Sequence, residues 1–175
     1  MSRTLYLSRV LALVLVFTLI LPLLTACGER RAARDPLAYL KTDMAISVRG
    51  ELWGIAFAGV LRRKTDGEAA LTFTAPAALA GMTVSRCGES RTLTLGQNSY
   101  TPANPSDHAL FRLLLPLTKG NIISQSEGED GGLCAAVETP EGTYTVYTDA
   151  AGIPLAWECD GMRMTRTEDT GNAGT

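Results

Sequence analysis

Turn residues divide the chain from residue 44 to residue 166 into many short segments in which apolar and polar side chains alternate. Alternation of this kind is the period of a half-buried β-strand, and Gly, Pro, Asn and Asp between such segments are typical of hairpin turns. A dense series of short strands favours an antiparallel meander. The pattern predicts strands at residues 44–64 (two strands or one long bent strand), 71–74, 82–87, 91–95, 99–101, 122–126, 133–139, 143–149, 153–159 and 161–166.

Large apolar residues recur at period two in the segments 44–64 and 153–159, which predicts faces that point into a core. These residues are Trp53, Ile55, Phe57 and Leu61 in the first segment and Ile153, Leu155, Trp157 and Cys159 in the second. Gly50, Gly54 and Gly59 also fall in the first segment, where they suit bulges or bends better than a flat sheet. We therefore expect a strongly curved sheet.

One segment breaks the strand pattern. Asn104-Pro105-Ser106-Asp107 supplies an N-cap, a proline at the first helical position and an acid in the first turn, so a helix is predicted over residues 104–115, ending at Pro116. It is apolar over much of its circumference and must be buried, through Leu110, Phe111, Leu113, Leu114 and Leu115. The predicted fold class is mainly β (α+β): a curved antiparallel half-barrel sheet with one or two short helices in its concave face.

The N-terminus has the composition of a secretory signal. Arg3 and Arg9 precede an apolar stretch over residues 10–24, which Leu24-Thr25-Ala26-Cys27 closes with small residues. The stretch is shorter than the roughly 20 residues of a membrane-spanning helix, which favours cleavage. The segment resembles bacterial lipoprotein signals. That resemblance implies a covalent diacylglycerol or acyl lipid on Cys27, a membrane anchor and an extracytoplasmic location, whereas the alternative is an ordinary signal peptide or an uncleaved anchor with a chance cysteine.

Four regions are therefore expected: a lipoprotein signal peptide (1–26), the lipidated cysteine with a tether (27–36), a half-barrel-like domain (37–166) and a disordered tail (167–175). Removing 26 of the 175 residues leaves 149, enough for one domain with its own core. The removed segment takes two of the 16 basic residues and none of the 18 acidic ones, so the net charge becomes −4. Nothing points to nucleic acid as a partner, and no cofactor is expected beyond the lipid on Cys27.

Two charged clusters stand out. Arg62-Arg63-Lys64 precedes the turn signal Asp66-Gly67 and is expected to be a solvated strand end that discourages edge pairing; contact with anionic lipid headgroups is the alternative. Glu127, Glu129 and Asp130 crowd a glycine-rich turn that could attract a hard cation. Because such turns are usually only solvated, no metal site is expected.

Lipidation of Cys27 would leave Cys87, Cys134 and Cys159, an odd number that cannot all pair. Cys134 and Cys159 fall on strands predicted to lie two apart, roughly 10 Å from each other, which is too far for a disulfide. Free buried thiols that behave as small apolar groups are expected, and a disulfide from Cys87 to one of the others remains an alternative.

No catalytic motif is present. The chain has no Gly-x-Ser-x-Gly elbow, His-Glu-x-x-His pair, phosphate loop or EF-hand spacing. Its one histidine, His108, falls in the first turn of the predicted helix, where a surface or capping position fits better than a catalytic role. We expect no enzymatic activity.

Two stretches carry a resemblance to a known family. Leu71-Thr72-Phe73-Thr74-Ala75-Pro76 followed by Leu79-Ala80-Gly81-Met82, and residues 144–155, are similar in layout to the half-barrel lipoprotein carriers (Lol-type) and their lipid-anchored receptors, and to clostridial spore-germination lipoproteins. The resemblance spans residues 37–166. It implies an incomplete antiparallel barrel with helices in its mouth and an apolar cavity beneath them.

The chain also departs from that family. The carriers are soluble, whereas this chain has a lipidation signal, which favours a receptor-like or stationary role. No arginine matches the carriers' functional arginine residue by residue. Arg49, Arg86 and Arg91 are candidates by strand location, and none is assigned.

The sequence favours two functions. In the first, the sheet and its helical lid bind a lipid, an acyl chain or another hydrophobic ligand in a cavity; the same side chains would also suit a plain core. The residues expected to line it are Trp53, Ile55, Phe57, Leu110, Phe111, Leu114, Leu155 and Trp157. In the second, exposed sheet edges dock another envelope protein that this module scaffolds or activates, as in the similar germination lipoproteins. A purely structural envelope lipoprotein is a third possibility.

Overall fold

A computed structural model describes residues 34–103, 109–159 and 161–167. Within these ranges the chain forms eleven strands, all in one antiparallel sheet, together with two 3-10 segments, Ala38–Lys41 and Ala109–Leu117; the second is called the central helix below. The strands are β1 Met44–Leu52, β2 Ile55–Arg63, β3 Ala69–Ala75, β4 Met82–Cys87, β5 Ser90–Leu95, β6 Asn98–Tyr100, β7 Asn121–Glu127, β8 Leu133–Thr139, β9 Gly142–Thr148, β10 Pro154–Cys159 and β11 Met162–Arg166.

The sheet is open and curved, which confirms the predicted fold class. Its strand order is β6-β5-β4-β3-β2-β1-β11-β10-β9-β8-β7, so hairpins account for every neighbour except the pairing of β1 with β11. That one pairing joins a half built from β1–β6 to a half built from β7–β11. The central helix lies in the segment that connects the two edge strands, β6 and β7. The sheet, the Ala38–Lys41 segment and the central helix all belong to one compact unit that begins at Asp35.

Glycines allow the curvature that the sequence predicted. Trp53 and Gly54 both have positive φ, 50° and 80°, and form a two-residue turn, so residues 44–64 are two strands and not one bent strand. At Gly59 the register between β2 and β3 shifts, and a Cβ there would lie 2.6 Å from the carbonyl oxygen of Thr72. Opposite Gly50, the Phe57 ring fills the space that a side chain would need.

The central helix differs from the prediction in type and in its end. It is a 3-10 helix that continues through Pro116 to Leu117, one residue beyond the predicted stop. Three residues per turn align Phe111, Leu114 and Leu117 along one edge, and all three are buried. Proline is accommodated here because burial of this apolar edge outweighs the one backbone donor that Pro116 lacks. The predicted helix start at Asn104 and His108 lie outside the described residues, as do Cys27 and residues 168–175.

The hydrophobic core lies between the concave face of the sheet and the central helix. The helix packs on β3, β4 and β9, and the Ala38–Lys41 turn adds Tyr39 and Leu40 to the same cluster. No helix in the described part of the chain has the length and apolar character needed to cross a membrane.

Candidate functional site

The concave face is the best candidate site because the strands there present a continuous apolar floor. The most buried side chains of this floor, each 0–1% exposed, are Val48, Leu61, Ala69, Leu71, Phe73, Val84, Ala135, Val137, Tyr144, Val146, Trp157 and Met164. The central helix fills the space above them, with Leu113 at 0%, Leu114 at 1% and Leu117 at 2% exposed. The helix therefore covers the apolar floor of the concave face.

The structure brings five of the eight predicted cavity residues together in this cluster. Phe57, Phe111, Leu114 and Trp157 are buried, and Leu110 packs against them in a half-buried position. Phe57 also meets Phe73 edge to face, with ring centroids 5.5 Å apart.

The other three predicted cavity residues do not face the core, which corrects the sequence prediction. Trp53 and Ile55 are 58% and 59% exposed because they lie at the tip of the β1–β2 hairpin, beyond the cover of the helix. Leu155 is 43% exposed because a register shift between Pro154 and Ala156 interrupts the period-two pattern of β10. Ile153, before this irregularity, is exposed for the same reason.

A chain of buried polar contacts joins the floor to the helix. The Trp157 Nε1–H donates to the Tyr39 hydroxyl at 3.4 Å, and that hydroxyl donates to the Pro116 carbonyl at 2.7 Å. The two rings meet edge to face with centroids 6.1 Å apart. Trp157 and Tyr39 therefore connect β10, the N-terminal turn and the end of the helix.

Two further side chains bind the end of the central helix. Arg86 Nη2 donates to the Leu117 carbonyl at 3.2 Å, and its Nη1 donates to the Thr118 hydroxyl. The Tyr144 hydroxyl donates to the Thr118 carbonyl at 3.2 Å. The carbonyls of residues 116–118 are thus each satisfied by a side chain, as the unpaired C-terminal groups of a buried helix require.

The structure corrects the expectation that Arg62-Arg63-Lys64 forms a solvated strand end. Arg62 and Lys64 are exposed, but Arg63 is only 3% exposed because it follows Leu61 at period two on the concave face. Its Nη1 makes one long contact, 3.5 Å, with the Thr42 carbonyl, and its buried Nε has no hydrogen-bond partner among the described residues.

An ion pair shows how strongly the sheet curves. Arg91 on β5 forms a salt bridge with Glu141 in the β8–β9 turn. Strands β5 and β9 are seven positions apart in the sheet order, or about 34 Å if the sheet were flat. The two halves of the sheet therefore approach each other at the end of the concave face where the central helix ends.

Burial perturbs the ionisable groups at this end of the site. Burial raises the pKa of the Tyr39 hydroxyl well above its ordinary value of 10.0, and neighbouring Tyr144 raises it further. Burial also raises the pKa of Tyr144, against the effects of the neighbouring Tyr39 hydroxyl and the charge of Arg86. For Arg86, burial lowers the pKa of the guanidinium, which the charge of Glu141 partly offsets.

The Tyr39 hydroxyl makes stability depend on alkaline pH. Because its pKa is higher in the folded chain than the value near 10 of an unfolded one, its contribution is complete below about pH 10 and is lost as the pH rises above it. We expect the urea midpoint to fall between about pH 8 and about pH 11, and Tyr39→Phe to reduce that fall. Tyr100→Phe, at an exposed position, should leave the fall of the urea midpoint unchanged. If Tyr39→Phe shows the same fall as the parent chain, the pH dependence does not come from the Tyr39 hydroxyl.

Cys87, Cys134 and Cys159 form no disulfide with one another. The predicted separation of Cys134 and Cys159 is confirmed, since β9 lies between their strands. Cys87 is exposed and the other two are half-buried, so the expectation that all three thiols are buried is wrong. Cys87 ends β4 beside a turn at Gly88, beyond the cover of the core.

A second surface of interest is the edge strand β7. All seven of its residues are exposed, including Ile122 and Ile123, and among the described strands only β8 pairs with it. The opposite edge, β6, has only three residues. A long exposed edge presents unpaired backbone groups to which another chain can add a strand.

A cleft of about 750 Å³ opens near the middle of the sheet, and its charged lining does not suit an apolar ligand. The side chains of Arg49, Glu51, Glu158 and Arg163 that border it alternate with the core residues, so they belong to the outer face. Of the three arginines that the sequence analysis considered, Arg49 thus lies away from the concave face, whereas Arg86 and Arg91 lie at its end. No group of three or more potential metal ligands occurs within the described ranges.

Three solved structures are similar to this chain at 7–11% identity. An uncharacterized conserved protein from Thermus thermophilus has 11% identity and a TM-score of 0.47 over 75% of this chain and 80% of its own. A LolA superfamily protein from Nitrosomonas europaea has 7% identity and a TM-score of 0.40 over 73% and 85%. A domain from Vibrio parahaemolyticus described as an outer membrane lipoprotein-sorting protein has 11% identity and a TM-score of 0.40 over 74% and 86%. No family model and no curated protein matches.

The sequence analysis left Arg86 and Arg91 as unassigned candidates and missed Arg63 and Tyr39. Arg63 follows Leu61, and Arg86 follows Val84, so both continue a buried face at period two. That signal was available for both arginines. Tyr39 had no such signal, because it lies in a short 3-10 turn whose burial depends on contacts with Trp157 and Pro116, far along the chain.

Proposed function

We propose that the concave face binds an acyl chain or a similar apolar ligand, with the central helix as a displaceable lid. The protein would be a non-catalytic lipoprotein, tethered through Cys27 on the outer side of a bacterial membrane. One observation carries the proposal: a nine-residue 3-10 helix with six buried residues covers the apolar floor of an open sheet.

The type of helix supports a lid that can leave. A 3-10 helix has poorer hydrogen-bond geometry than an α-helix, and runs longer than about four residues are uncommon. Pro116 removes one further backbone donor. Such a segment is stable mainly because its apolar residues are buried. Once another apolar group covers the floor, little free energy holds the segment in its helical conformation.

The magnitudes of burial allow an exchange between helix and ligand. Burying a leucine contributes roughly 1.5–3 kcal/mol, so Leu113, Leu114, Leu115 and Leu117 together contribute about 6–12 kcal/mol. Each buried methylene contributes about 0.8 kcal/mol, so an acyl chain of roughly 14 methylenes contributes about 11 kcal/mol. A single chain can therefore replace the helix on the floor without a large change in free energy.

The direct test is mass spectrometry of the lipids that remain with residues 28–175 after purification as a secreted domain without detergent. We expect about one lipid for each protein molecule, which an unrelated secreted protein prepared in the same way should lack. Recovery of a variable, substoichiometric mixture equal to that of the control would overturn the proposal.

The exposed β7 edge supports a second candidate function, the docking of another envelope protein. An extended segment of the partner would add a strand beside β7, and Ile122 and Ile123 would supply apolar contacts. Both functions are compatible in one molecule because β7 lies at the edge of the sheet and the lid lies in its concave face.

A charge on this edge should block strand addition. We expect Ile123→Lys to reduce by about tenfold the yield of a discrete product from a photocrosslinker at Gln125 in membranes, because an edge lysine opposes pairing. Ile55→Lys is the matched control, since Ile55 is 59% exposed, as Ile123 is 57% exposed, but lies far from either edge. Equal yields from both variants, or no discrete product from the parent chain, would rule out docking at β7.

A further inference from the structure

Three arginines lie in one row across the concave face. Cross-strand partners in register share a face of the sheet, and the pairs Arg63–Ala69, Ala69–Arg86 and Arg86–Arg91 run consecutively from β2 to β5. Arg63 and Arg86 are therefore about 10 Å apart, with only the methyl group of Ala69 between them. The row follows the end of the concave face where the central helix ends.

The positive charge of this row is not balanced locally. Arg63 and Arg86 are 3% and 9% exposed, and the Arg91 side chain is 11% exposed. Within the described residues, Glu141 is the one carboxylate in salt-bridge contact with the row. Three buried or nearly buried cations thus face a single partly exposed anion, an arrangement that is costly unless an acceptor with negative charge completes it.

Binding of the helix end explains why Arg86 is buried in this row, but it does not explain why Arg63 is. Arg86 binds the Leu117 carbonyl and the Thr118 hydroxyl, and cations at a helix C-terminus are favourable. The hydrogen bond of Arg63 goes to the Thr42 carbonyl and not to the helix end, and its buried Nε lacks a hydrogen-bond partner among the described residues. A donor held in the interior without an acceptor fits a site whose ligand supplies the acceptor.

We infer that the row of Arg63, Arg86 and Arg91 binds the anionic headgroup of an amphiphile whose chain occupies the concave face. The inference rests on the proposed function and adds the ligand class. When the central helix leaves the floor, the Leu117 and Thr118 acceptors leave with it, so Arg86 needs new acceptors as the headgroup arrives. A phosphate or carboxylate oxygen satisfies both Arg86 and the Nε of Arg63, and charge-assisted bonds of this kind are stronger than those to neutral carbonyls.

Charge selection can be measured on the full chain. The chain is placed in nanodiscs that contain equal amounts of phosphatidylcholine, phosphatidylglycerol and uncharged diacylglycerol, and native mass spectrometry identifies the lipid that remains bound after release. We expect phosphatidylglycerol to be retained over diacylglycerol by about tenfold or more, as the loss of one charged hydrogen bond would predict. It should also be retained over phosphatidylcholine, because the choline cation of that lipid offsets the phosphate charge beside the arginines.

Three variants test whether the preference for phosphatidylglycerol depends on the row of arginines. Arg63→Met should reduce the preference to about twofold or less while a lipid is still retained, and Arg63→Lys, which keeps the charge, should restore most of it. Arg62→Met is the matched control, because Arg62 is exposed on the other face of β2 and should leave the preference unchanged. Circular dichroism melting of each variant identifies any that fails to fold, and Arg91→Met, at the more accessible end of the row, then replaces Arg63→Met.

The outcomes separate the inference from the function on which it rests. Retention of lipid without charge preference overturns the headgroup site and leaves the apolar site intact, whereas retention of no lipid overturns both. Inorganic phosphate is the probe that tests whether the row binds free phosphate and not a lipid headgroup. If phosphate alone raises the melting temperature while the chain shows no preference for phosphatidylglycerol, the site takes free phosphate and the lipid headgroup is excluded.

Discussion

Replacement of Trp157 by alanine is expected to lower the free energy of unfolding by about 3–5 kcal/mol. The side chain is fully buried, packs edge to face on Tyr39 and donates its Nε1–H to the Tyr39 hydroxyl. Its loss leaves a large cavity in the floor and also loosens Tyr39, which holds the Pro116 carbonyl at the end of the central helix. Urea unfolding, followed by circular dichroism, measures the change.

Trp53→Ala is the matched control for this variant. Trp53 is the same residue type but is 58% exposed at the β1–β2 turn, so its loss should change the free energy of unfolding by less than about 1 kcal/mol. A cost below about 1 kcal/mol for Trp157→Ala, or equal costs for the two variants, would contradict the position of Trp157 at the centre of the core.

Leu114→Ala is expected to weaken folding and to strengthen ligand binding at the same time. Leu114 is 1% exposed on the helix edge that faces the floor, so its truncation should cost about 2–4 kcal/mol of stability. If ligand binding displaces the helix, the weaker docking of the helix raises the apparent affinity for an acyl chain by up to about 30-fold for each 2 kcal/mol lost. Titration with a fluorescent fatty acid measures this change.

Leu61→Ala separates displacement of the lid from general destabilisation. Leu61 is fully buried in the floor, so its truncation should cost a similar 2–4 kcal/mol. Its side chain would contact the ligand as it now contacts the core, so this variant should bind the fatty acid no more tightly than the parent chain. An equal gain in both variants would show that looser folding, and not release of the helix, admits the probe.

Most of the fold was predictable because strand patterns and turn residues are local signals. The predicted strands 82–87 and 133–139 coincide with β4 and β8, and the other strand boundaries differ by about two residues or fewer. Glycine at the Trp53–Gly54 turn and at the Gly59 irregularity correctly indicated curvature. The order of the sheet also follows, since hairpins specify every neighbour except β1 and β11.

The errors arise where a local pattern is interrupted or where burial depends on distant contacts. One irregular residue in β10 moves Leu155 to the surface although its spacing from Trp157 fits a shared face. Arg63 was assigned to solvent from its charge, whereas its place in the alternation of β2 buries it. The extension of the central helix past Pro116 depends on tertiary packing, which helix propensity does not encode.

The most direct test of the account is hydrogen–deuterium exchange of residues 28–175 with and without a saturating fatty acid, read at the backbone amides of residues 109–115, 117 and 118. If the central helix is a lid that the ligand displaces, these amides should exchange at least about tenfold faster with the ligand, while those of β3 and β9, on which the helix packs, stay protected. Unchanged or slower exchange in the helix under the same conditions would show that it is a permanent part of the core and would contradict the account.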